Sequence, residues 1–247
     1  MEKYIIGLDS GTTSIKAVVM DTLGNEVYKI DFKLTPICPR QDRYEEDMHE
    51  IWNNARLALK AVGERFPAES LIGIGITAQG DGLWLIDEHG EPVRNGCCFC
   101  DGRASEIVDE WVADGTCDKL FERTGTRVFT GNQNGIVKWM ERHEPESLRK
   151  AKHFLHLKDY LFYKLTGKIT TDATDQSLIF LNPQTLQYDP AMFALCGLEA
   201  YRDRYPSVLA AGDNAFPLQP DVAKELGLNP NLLVTSGPMD VSACALG

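Results

Sequence analysis

The chain has 247 residues, of which 43% are hydrophobic and 25% are charged. These proportions are typical of a globular protein and exclude a disordered or fibrous one. The length accommodates one large domain or two smaller ones. The formal net charge of -11, without a cluster of lysine and arginine, argues against a nucleic-acid partner. We expect the longest acidic cluster, Glu45-Glu46-Asp47, in a solvated surface turn.

The amino terminus and the cysteines bear on the cellular compartment. No apolar segment near the amino terminus resembles a signal peptide, and no run of about 18 apolar residues predicts a membrane span. The seven cysteines follow no disulfide-framework spacing. We therefore expect a cytoplasmic protein with reduced thiols and no membrane partner. The sequence leaves a homodimer open.

Three of the cysteines, Cys97, Cys98 and Cys100, include one C-x-x-C spacing. A structural zinc site needs four ligands, and no second C-x-x-C or histidine pair follows at a suitable distance. A redox pair favours a helix N-terminus, whereas these residues lie in an apolar run that predicts a strand. We interpret them as small buried core residues.

The predicted elements begin with a β-meander. Alternating and apolar runs predict strands over residues 3–9, 14–21 and 26–34. Asp47 and Glu50 have the spacing of a capping box, and apolar residues at helical spacing continue to Val62. The continuous apolar run over residues 71–76 predicts a buried central strand.

The rest of the chain adds helices to this start. The elements predicted there are strands over residues 83–86 and 93–99, helices over 104–113, 135–143, 158–165 and 221–226, a strand over 232–235 and a helix over 241–246. The pattern indicates a mixed α/β core that carries a mostly helical insertion. Because the last predicted helix is still apolar at Gly247, we expect the chain to be the N-terminal part of a longer protein.

The first candidate for chemistry is the turn Asp9-Ser10-Gly11-Thr12-Thr13-Ser14. Its backbone N–H groups and hydroxyls are suited to bind an anion such as phosphate. Asp9 is suited to hold Mg²⁺ through water, and Lys16 offers a positive charge to a transferring phosphoryl group. No Walker loop, G-x-G-x-x-G, H-E-x-x-H or G-x-S-x-G motif occurs. Considered alone, the turn is equally well an ordinary hairpin.

Three further polar segments follow predicted strands. Gln79-Gly80-Asp81-Gly82 ends the central strand, where α/β sheets bind ligands, and Asp81 is suited to bind sugar hydroxyls; the alternative is a tight turn. Asp240 is a general base that takes a hydroxyl proton, a second carboxylate near the metal, or a simple helix N-cap. Asp101-Gly102-Arg103 is either a helix cap or a set of ligands at the same edge of the sheet.

Together and in this order, these segments resemble the FGGY family of carbohydrate kinases. The resemblance covers essentially all of residues 1–247 and corresponds to the N-terminal half of that family. The segments that carry it are IGLDSGTTSIKAVVMD, GIGITAQGDG, CFCDGR (similar to the family's W-x-D-x-R element), the helical stretch over residues 124–177, and VTSGPMDVSACALG.

The resemblance implies a ribonuclease H-like fold of the actin type and ATP-dependent phosphorylation of a sugar or polyol hydroxyl. ATP would lie between this domain and a C-terminal domain outside the chain. The implied roles are general base for Asp240, Mg²⁺ binding for Asp9, contact with the ATP phosphates for Gly11, Thr12, Thr13 and Lys16, and substrate binding for Gln79, Gly80, Asp81, Phe99, Asp101 and Asp240. Phe99 takes the place of a family tryptophan as a wall against the substrate carbons.

Departures from the family pattern concern the substrate. Glycerol kinases carry Arg-Glu where this chain has Gly80-Asp81, and a tyrosine near Gly131; common xylulose kinases carry Met-His at the pair. We therefore expect a roomier pocket that takes a tetritol or ketopentose, such as an erythritol-like or L-xylulose-like substrate. The alternative is a non-kinase ATPase of the same actin-like fold. By itself, this chain is expected to have negligible kinase activity.

Overall fold

The structure, a computed structural model, describes residues 2–177, 179–210 and 212–246. The strands in these residues are β1 (Tyr4–Ser10), β2 (Ser14–Asp21), β3 (Glu26–Lys33), β4 (Glu45–Glu46), β5 (Leu71–Ala78), β6 (Trp84–Ile86), β7 (Gly96–Cys97), β8 (His153–Leu155), β9 (Thr170–Thr171), β10 (Leu181–Asn182), β11 (Gln187–Tyr188), β12 (Ser207–Val208), β13 (Ala215–Pro217) and β14 (Leu233–Ser236). The helices are α1 (Met48–Arg65), α2 (Ser105–Ala113), α3 (Thr116–Thr124), α4 (Gln133–His143), α5 (Pro145–Lys150), α6 (Leu157–Thr166), α7 (Ala173–Gln176), α8 (Pro190–Cys196), α9 (Pro220–Leu226) and α10 (Asp240–Leu246), with 3₁₀ turns at Ala68–Ser70 and Glu199–Arg204. None of these helices is both long and apolar enough to cross a membrane.

The central sheet has the strand order β13-β14-β5-β1-β2-β3. β1, β2 and β3 form the predicted antiparallel meander. β5 pairs in parallel with β1, and β14 pairs in parallel with β5. Because β1, β5 and β14 run in the same direction, their carboxyl ends lie together at one edge of the sheet, and this edge positions the candidate site.

The alternating sequence of β1 explains which face of the sheet is buried. Ile6, Leu8 and Ser10 are buried, whereas the residues between them are partly exposed. Successive strand side chains point to opposite faces, so the buried set is the one that packs beneath α1 and α6.

Helix α1 begins as predicted, with Asp47 accepting hydrogen bonds from the backbone N–H groups of His49 and Glu50. The second half of the predicted capping box is wrong. The carboxylate of Glu50 instead accepts hydrogen bonds from Thr35 N and Thr35 Oγ1, at 3.0 and 2.8 Å. Glu50 therefore ties the helix to the loop that follows β3.

A second hydrophobic cluster fills the helical insertion and is separate from the core beneath the sheet. The rings of Phe180 and Phe193 stack in it with their centroids 3.8 Å apart. The mostly helical insertion is thus confirmed. The short elements between Thr166 and Pro220 had no counterpart among the predicted ones.

The predicted strand over residues 93–99 is largely wrong. Only Gly96 and Cys97 form a strand there, and they pair with β4. β6 forms its ladder with β8, and residues 83–86 meet the 93–99 segment through an isolated bridge between Leu83 and Cys97 and a hydrogen bond from Val93 N to Leu85 O at 2.9 Å. A second bridge joins Ile86 to Pro92, which has no N–H to donate to a ladder.

The contact between α1 and α9 gives a test of the packing. A Cβ at Gly63 would lie 2.1 Å from the backbone oxygen of Leu226. Alanine normally stabilises a helix interior by about 1 kcal/mol relative to glycine. Here the helices would have to separate, so we expect Gly63→Ala to lower the free energy of unfolding by about 1–3 kcal/mol in urea denaturation. The exposed neighbour Glu64→Ala is the control, and a stabilised Gly63→Ala variant would contradict the close contact.

Candidate active site

Three parallel strand ends meet at the candidate site. Asp9 lies near the end of β1, Gln79-Gly80-Asp81 follows β5, and Asp240 follows β14. The ends are tied together, since Gln79 N donates to Ser10 O at 3.0 Å and Gly237 N donates to Ile76 O at 2.8 Å. A Cβ at Gly237 would lie 2.7 Å from Ile76 O, so glycine permits this close approach.

A pocket of about 110 Å³ lies at this edge. It is lined by Gln79, Gly80, Asp81, Phe99, Met239, Asp240 and Val241. Five of the six predicted substrate residues are therefore brought together. A larger cleft, of about 780 Å³, lies between Asp87 and Arg204 on the insertion and contains none of the predicted site residues. We place the candidate site at the smaller pocket because its carboxylates converge there.

The sixth predicted substrate residue, Asp101, does not line the pocket. Its carboxylate is fully buried and binds Arg103 Nε at 2.8 Å and the backbone N–H of Tyr44 at 2.8 Å. Arg103 also reaches Glu45, with 2.6 Å between Nη2 and Oε1. In the structure Asp101 serves this internal network, which holds the loop that carries Phe99.

The cysteine interpretation holds in part. Cys97 and Cys98 are buried, and burial raises the pKa of the Cys97 thiol to about 12. Cys100, however, is exposed, so the interpretation of all three cysteines as buried is wrong. The chain turns at this point, because Asp101 N donates to Cys98 O at 3.0 Å and Cys100 is carried outward.

Asp81 is held in an unusual backbone conformation, with φ of 56°. Asn132 Nδ2 donates to its Oδ1 at 2.5 Å, and Asn132 Oδ1 in turn accepts from Phe129 N at 2.7 Å. Burial raises the pKa of Asp81 to about 6, although the nearby His156 and the Asn132 hydrogen bond lower it. The carboxylate is thus a fixed hydrogen-bond acceptor at the pocket wall.

The absence of a side chain at Gly131 does not enlarge the pocket. The place where a Cβ would stand is occupied by the backbone of Phe99, whose oxygen would be 1.6 Å away. Gly131 O also accepts a hydrogen bond from Gly82 N at 2.9 Å. The expectation that Gly131 adds room to the pocket is therefore wrong.

Gln79 is positioned by a buried acid. Its Nε2 lies 2.9 Å from both carboxylate oxygens of Glu46, which is 3% exposed. Burial raises the pKa of Glu46 to about 7, against the hydrogen bonds from Gln79 and Cys98 that lower it. The expectation of a solvated turn at Glu45-Glu46 is wrong, because polar and cationic partners from distant segments enclose both carboxylates.

The predicted phosphate loop is a tight hairpin between β1 and β2. Gly11 N donates to Ser14 O at 3.1 Å, and Thr13 O accepts from Leu34 N at 3.0 Å. Lys16 Nζ lies 3.8 Å from the Asp9 carboxylate, and both side chains are partly exposed. Burial raises the pKa of Asp9, Lys16 lowers it and the charge of Asp240 raises it. The negative charge of Asp240 is therefore close enough to affect the pKa of Asp9.

Asp240 is the first residue of α10, and its Oδ1 accepts a hydrogen bond from Val241 N at 2.7 Å. This bond comes from the adjacent N–H and is not that of an N-cap, whose side chain accepts from the second or third residue of the helix; the carbonyl of Met239 accepts the first helical hydrogen bond, from Ala243 N at 2.9 Å. The carboxylate also lines the pocket beside Asp81 and Phe99. The structure thus places Asp240 at the pocket, and its role as general base stays a prediction.

A buried charged cluster behind the pocket had no counterpart among the predicted site residues. His156, Asp159 and Asp175 each offer one atom, and these atoms lie within 4.8 Å of one another. Lys158 Nζ, which is fully buried, lies 3.2 Å from Asp175 Oδ2 and also pairs with Asp172. The cluster thus contains its own cation. The sequence signal was weak, because Asp175 joins the others only through folding.

The sheet and the carboxylates at its edge define a ribonuclease H-like α/β domain of the actin type, with a helical insertion. Within this class, the chain belongs to the FGGY family of carbohydrate kinases, since residues 4–247 match the N-terminal domain of that family. The predicted fold class and family are confirmed.

Several proteins that bear the names of sugar or polyol kinases are similar over nearly the whole chain. An erythritol kinase from Brucella abortus is 31% identical over 98% of this chain and 47% of its own length. A probable L-xylulose kinase from Pasteurella multocida is 32% identical over 98% of this chain and 51% of its own. The crystal structure of a xylulose kinase from Rhodospirillum rubrum has a TM-score of 0.90 at 25% identity, covering 99% of this chain and 50% of that one. The chain spans about half the length of the curated relatives it matches.

The buried Glu46 predicts a pH-dependent stability. Its pKa is about 7 in the folded protein, against a reference of 4.5, so the folded state binds more protons between these pH values. Glu46 therefore destabilises the fold increasingly as pH rises from 4.5 to 7. We expect Glu46→Gln to raise the free energy of unfolding by about 1–3 kcal/mol at pH 8 and by little at pH 5, as one pKa unit is ~1.4 kcal/mol.

Urea denaturation of both proteins at the two pH values is the measurement. Glu64→Gln, an exposed glutamate of α1, is the matched control and should show no such difference between pH 5 and pH 8. An equal effect of Glu46→Gln at both pH values would show that Glu46 does not titrate in this range.

Proposed function

We propose that this chain forms the substrate-binding part of an ATP-dependent kinase that phosphorylates a hydroxyl of a sugar or sugar alcohol. The observation that carries the proposal is the convergence of Asp81 and Asp240 on one small pocket, next to the hairpin that carries Asp9. Phosphoryl transfer to an alcohol needs a positioned carboxylate for the hydroxyl proton and positive charge around the phosphates.

Asp240 is the proposed general base. It takes the proton from the substrate hydroxyl as that oxygen attacks the γ-phosphate of ATP. Asp81 and Gln79 bind other hydroxyls of the substrate, and Phe99, which is 42% exposed, offers an apolar wall to its carbon chain. In this scheme the Asp101 and Arg103 pair supports the Phe99 loop from behind.

The hairpin between β1 and β2 is the proposed phosphate site. Gly11, Thr12 and Thr13 offer backbone N–H groups and hydroxyls, and Lys16 offers a positive charge. Asp9 fits a magnesium site, because its carboxylate is partly exposed and, in the part of the chain that the structure describes, its ion pair with Lys16 is a loose one of 3.8 Å. Mg²⁺ prefers few carboxylates and several waters, and when bound it supplies charge neutralisation to the phosphates.

The rest of the ATP site is proposed to lie outside this chain. The matched family domain is an N-terminal one, and the chain covers about half of each relative. We therefore propose a separate C-terminal domain that binds the nucleotide, and negligible kinase activity for residues 1–247 alone.

For the substrate, we propose a tetritol or a ketopentose. Two similar proteins bear the names erythritol kinase and probable L-xylulose kinase. Gly80 supports the same choice, because it places no side chain beside Asp81, and the atoms nearest to the position of its Cβ belong to the flexible Met239 side chain and to Asp175. A non-kinase ATPase of the actin-like fold is not favoured, since it would not require acids arranged around a small pocket.

The role of Asp240 predicts a selective loss of catalysis. In the whole protein, Asp240→Asn should lower the rate of polyol-dependent ADP formation by about a hundredfold or more, because the hydroxyl loses its proton acceptor. Binding should largely persist, because Asn keeps the shape of the side chain, and a thermal-shift titration with the polyol measures it.

Asp221→Asn removes an exposed acid from the first turn of α9 and serves as the control, with an unchanged rate expected. An Asp240→Asn protein that retains more than about a tenth of the turnover would disprove the assignment of the base.

A further inference from the structure

A buried carboxylate lies directly behind Gly80. A Cβ at Gly80 would stand 3.6 Å from Asp175 Oδ1, 3.1 Å from Met239 Sδ and 3.5 Å from Met239 Cε. Helix α7, which carries Asp175, is also hydrogen-bonded to the residue before Asp240, since Met239 N donates to Thr174 Oγ1 at 3.0 Å. Because residue 80 is a glycine, no side chain of that residue stands between the pocket and Asp175.

Asp175 has unused hydrogen-bonding capacity. It is 1% exposed, and among the described residues its Oδ1 has no hydrogen-bond partner, whereas its Oδ2 is ion-paired with the Lys158 ammonium. Buried polar atoms are nearly always satisfied, and one that is not calls for an explanation, such as a ligand. Oδ1 is the oxygen that faces Gly80, while Oδ2 faces Lys158 at 3.2 Å.

Burial raises the pKa of Asp175, and the nearby charges of Lys158 and His156 oppose this by favouring the carboxylate. The ammonium group is fully buried and lies among Asp159, Asp172 and Asp175. It also donates to Ser236 Oγ at 3.0 Å, at the end of β14. A buried carboxylate is costly without a cation, and a charged acceptor binds a hydroxyl more strongly than a neutral one.

We propose that Asp175 is a specificity-determining residue of the substrate site. Its Oδ1 accepts a hydrogen bond from a substrate hydroxyl that enters the space between Gly80 and the flexible side chain of Met239. The proposal rests on the kinase function proposed above and adds a second carboxylate next to Asp81. The substrate class that fits is an acyclic polyol or open-chain ketose with hydroxyls on adjacent carbons, one for Asp81 and the next for Asp175.

The two carboxylates make the site selective for a complete set of hydroxyls. A substrate that lacks the hydroxyl at the second carbon would leave Asp175 buried and unpaired, so it would bind less tightly. A side chain at position 80 would fill the same space and exclude the longer substrate. Because Met239 is unbranched and adaptable, it can move aside when the substrate enters.

The test compares polyols and their monodeoxy analogues as substrates of the whole protein. For the unmodified protein, removing one particular hydroxyl should raise KM about tenfold or more. In Asp175→Asn, that preference should shrink several-fold while kcat for the complete polyol changes little. Gly80→Ala should raise KM for the complete polyol, since its methyl group fills the space beside Asp175.

Two control variants separate this role from a structural one. Gly75 lies in β5, the strand before the turn that carries Gly80, and a Cβ there would have no atom within 4 Å. Gly75→Ala should therefore leave KM unchanged. Asp159→Asn removes another acid of the Lys158 cluster and should lower thermal stability without altering the preference for the hydroxyl. If Asp159→Asn reproduces the loss of preference, Asp175 acts only through the cluster and the proposal is overturned.

The remaining outcomes are distinct. An unmodified protein that forms ADP at the same rate with and without every polyol would refute the kinase function itself. An active protein in which Asp175→Asn keeps the full preference for the hydroxyl and Gly80→Ala leaves KM for the complete polyol unchanged would refute the role of Asp175 alone. If Asp175→Asn does not fold, Gly80→Ala decides the question, because only the flexible Met239 side chain has to yield to it.

Discussion

The parallel pairing of β1, β5 and β14 is the constraint on which the rest of the site depends. These strands are far apart in sequence, yet their common direction brings three carboxyl ends to one edge. The backbone contact between Gly237 and Ile76 then fixes the segment before Asp240 against the end of β5. A shift of one residue in either pairing would turn every side chain of the strand to the other face. The acids would then no longer share a pocket.

This arrangement buries charged side chains. The ion pairs that offset the cost of burial lie around the pocket rather than within it. Arg103 pairs with Asp101 and Glu45 under the Phe99 loop. Lys158 pairs with three acids behind Gly80. Among the described residues no lysine or arginine pairs with Asp81 or Asp240, and burial raises the pKa of Asp81 while the nearby His156 lowers it. Hydrogen-bond capacity is thus left for a ligand.

Local patterns in the sequence were enough to predict the meander, helix α1 and the strand ends that carry Asp9, Asp81 and Asp240. Period-two and helical spacings reflect burial of one face, so they survive folding. The strand over residues 93–99 could not be predicted correctly, because its pairing depends on Pro92 and on contacts with β4. The burial of Glu46 could not be predicted either, because its hydrogen-bond partner Gln79 is 33 residues away in the sequence. Asp175 had no local signal, because only the fold places it behind Gly80.

The central claim is that Asp240 faces the reacting hydroxyl while the β1–β2 hairpin faces the phosphates. The most direct measurement is a crystal structure of the whole protein with a tetritol and a non-hydrolysable ATP analogue. The account predicts a substrate hydroxyl oxygen about 2.6–3.2 Å from an Asp240 carboxylate oxygen, with the terminal phosphate against Thr12 and Thr13. A tetritol bound away from Asp81 and Asp240, or phosphates remote from the hairpin, would contradict it.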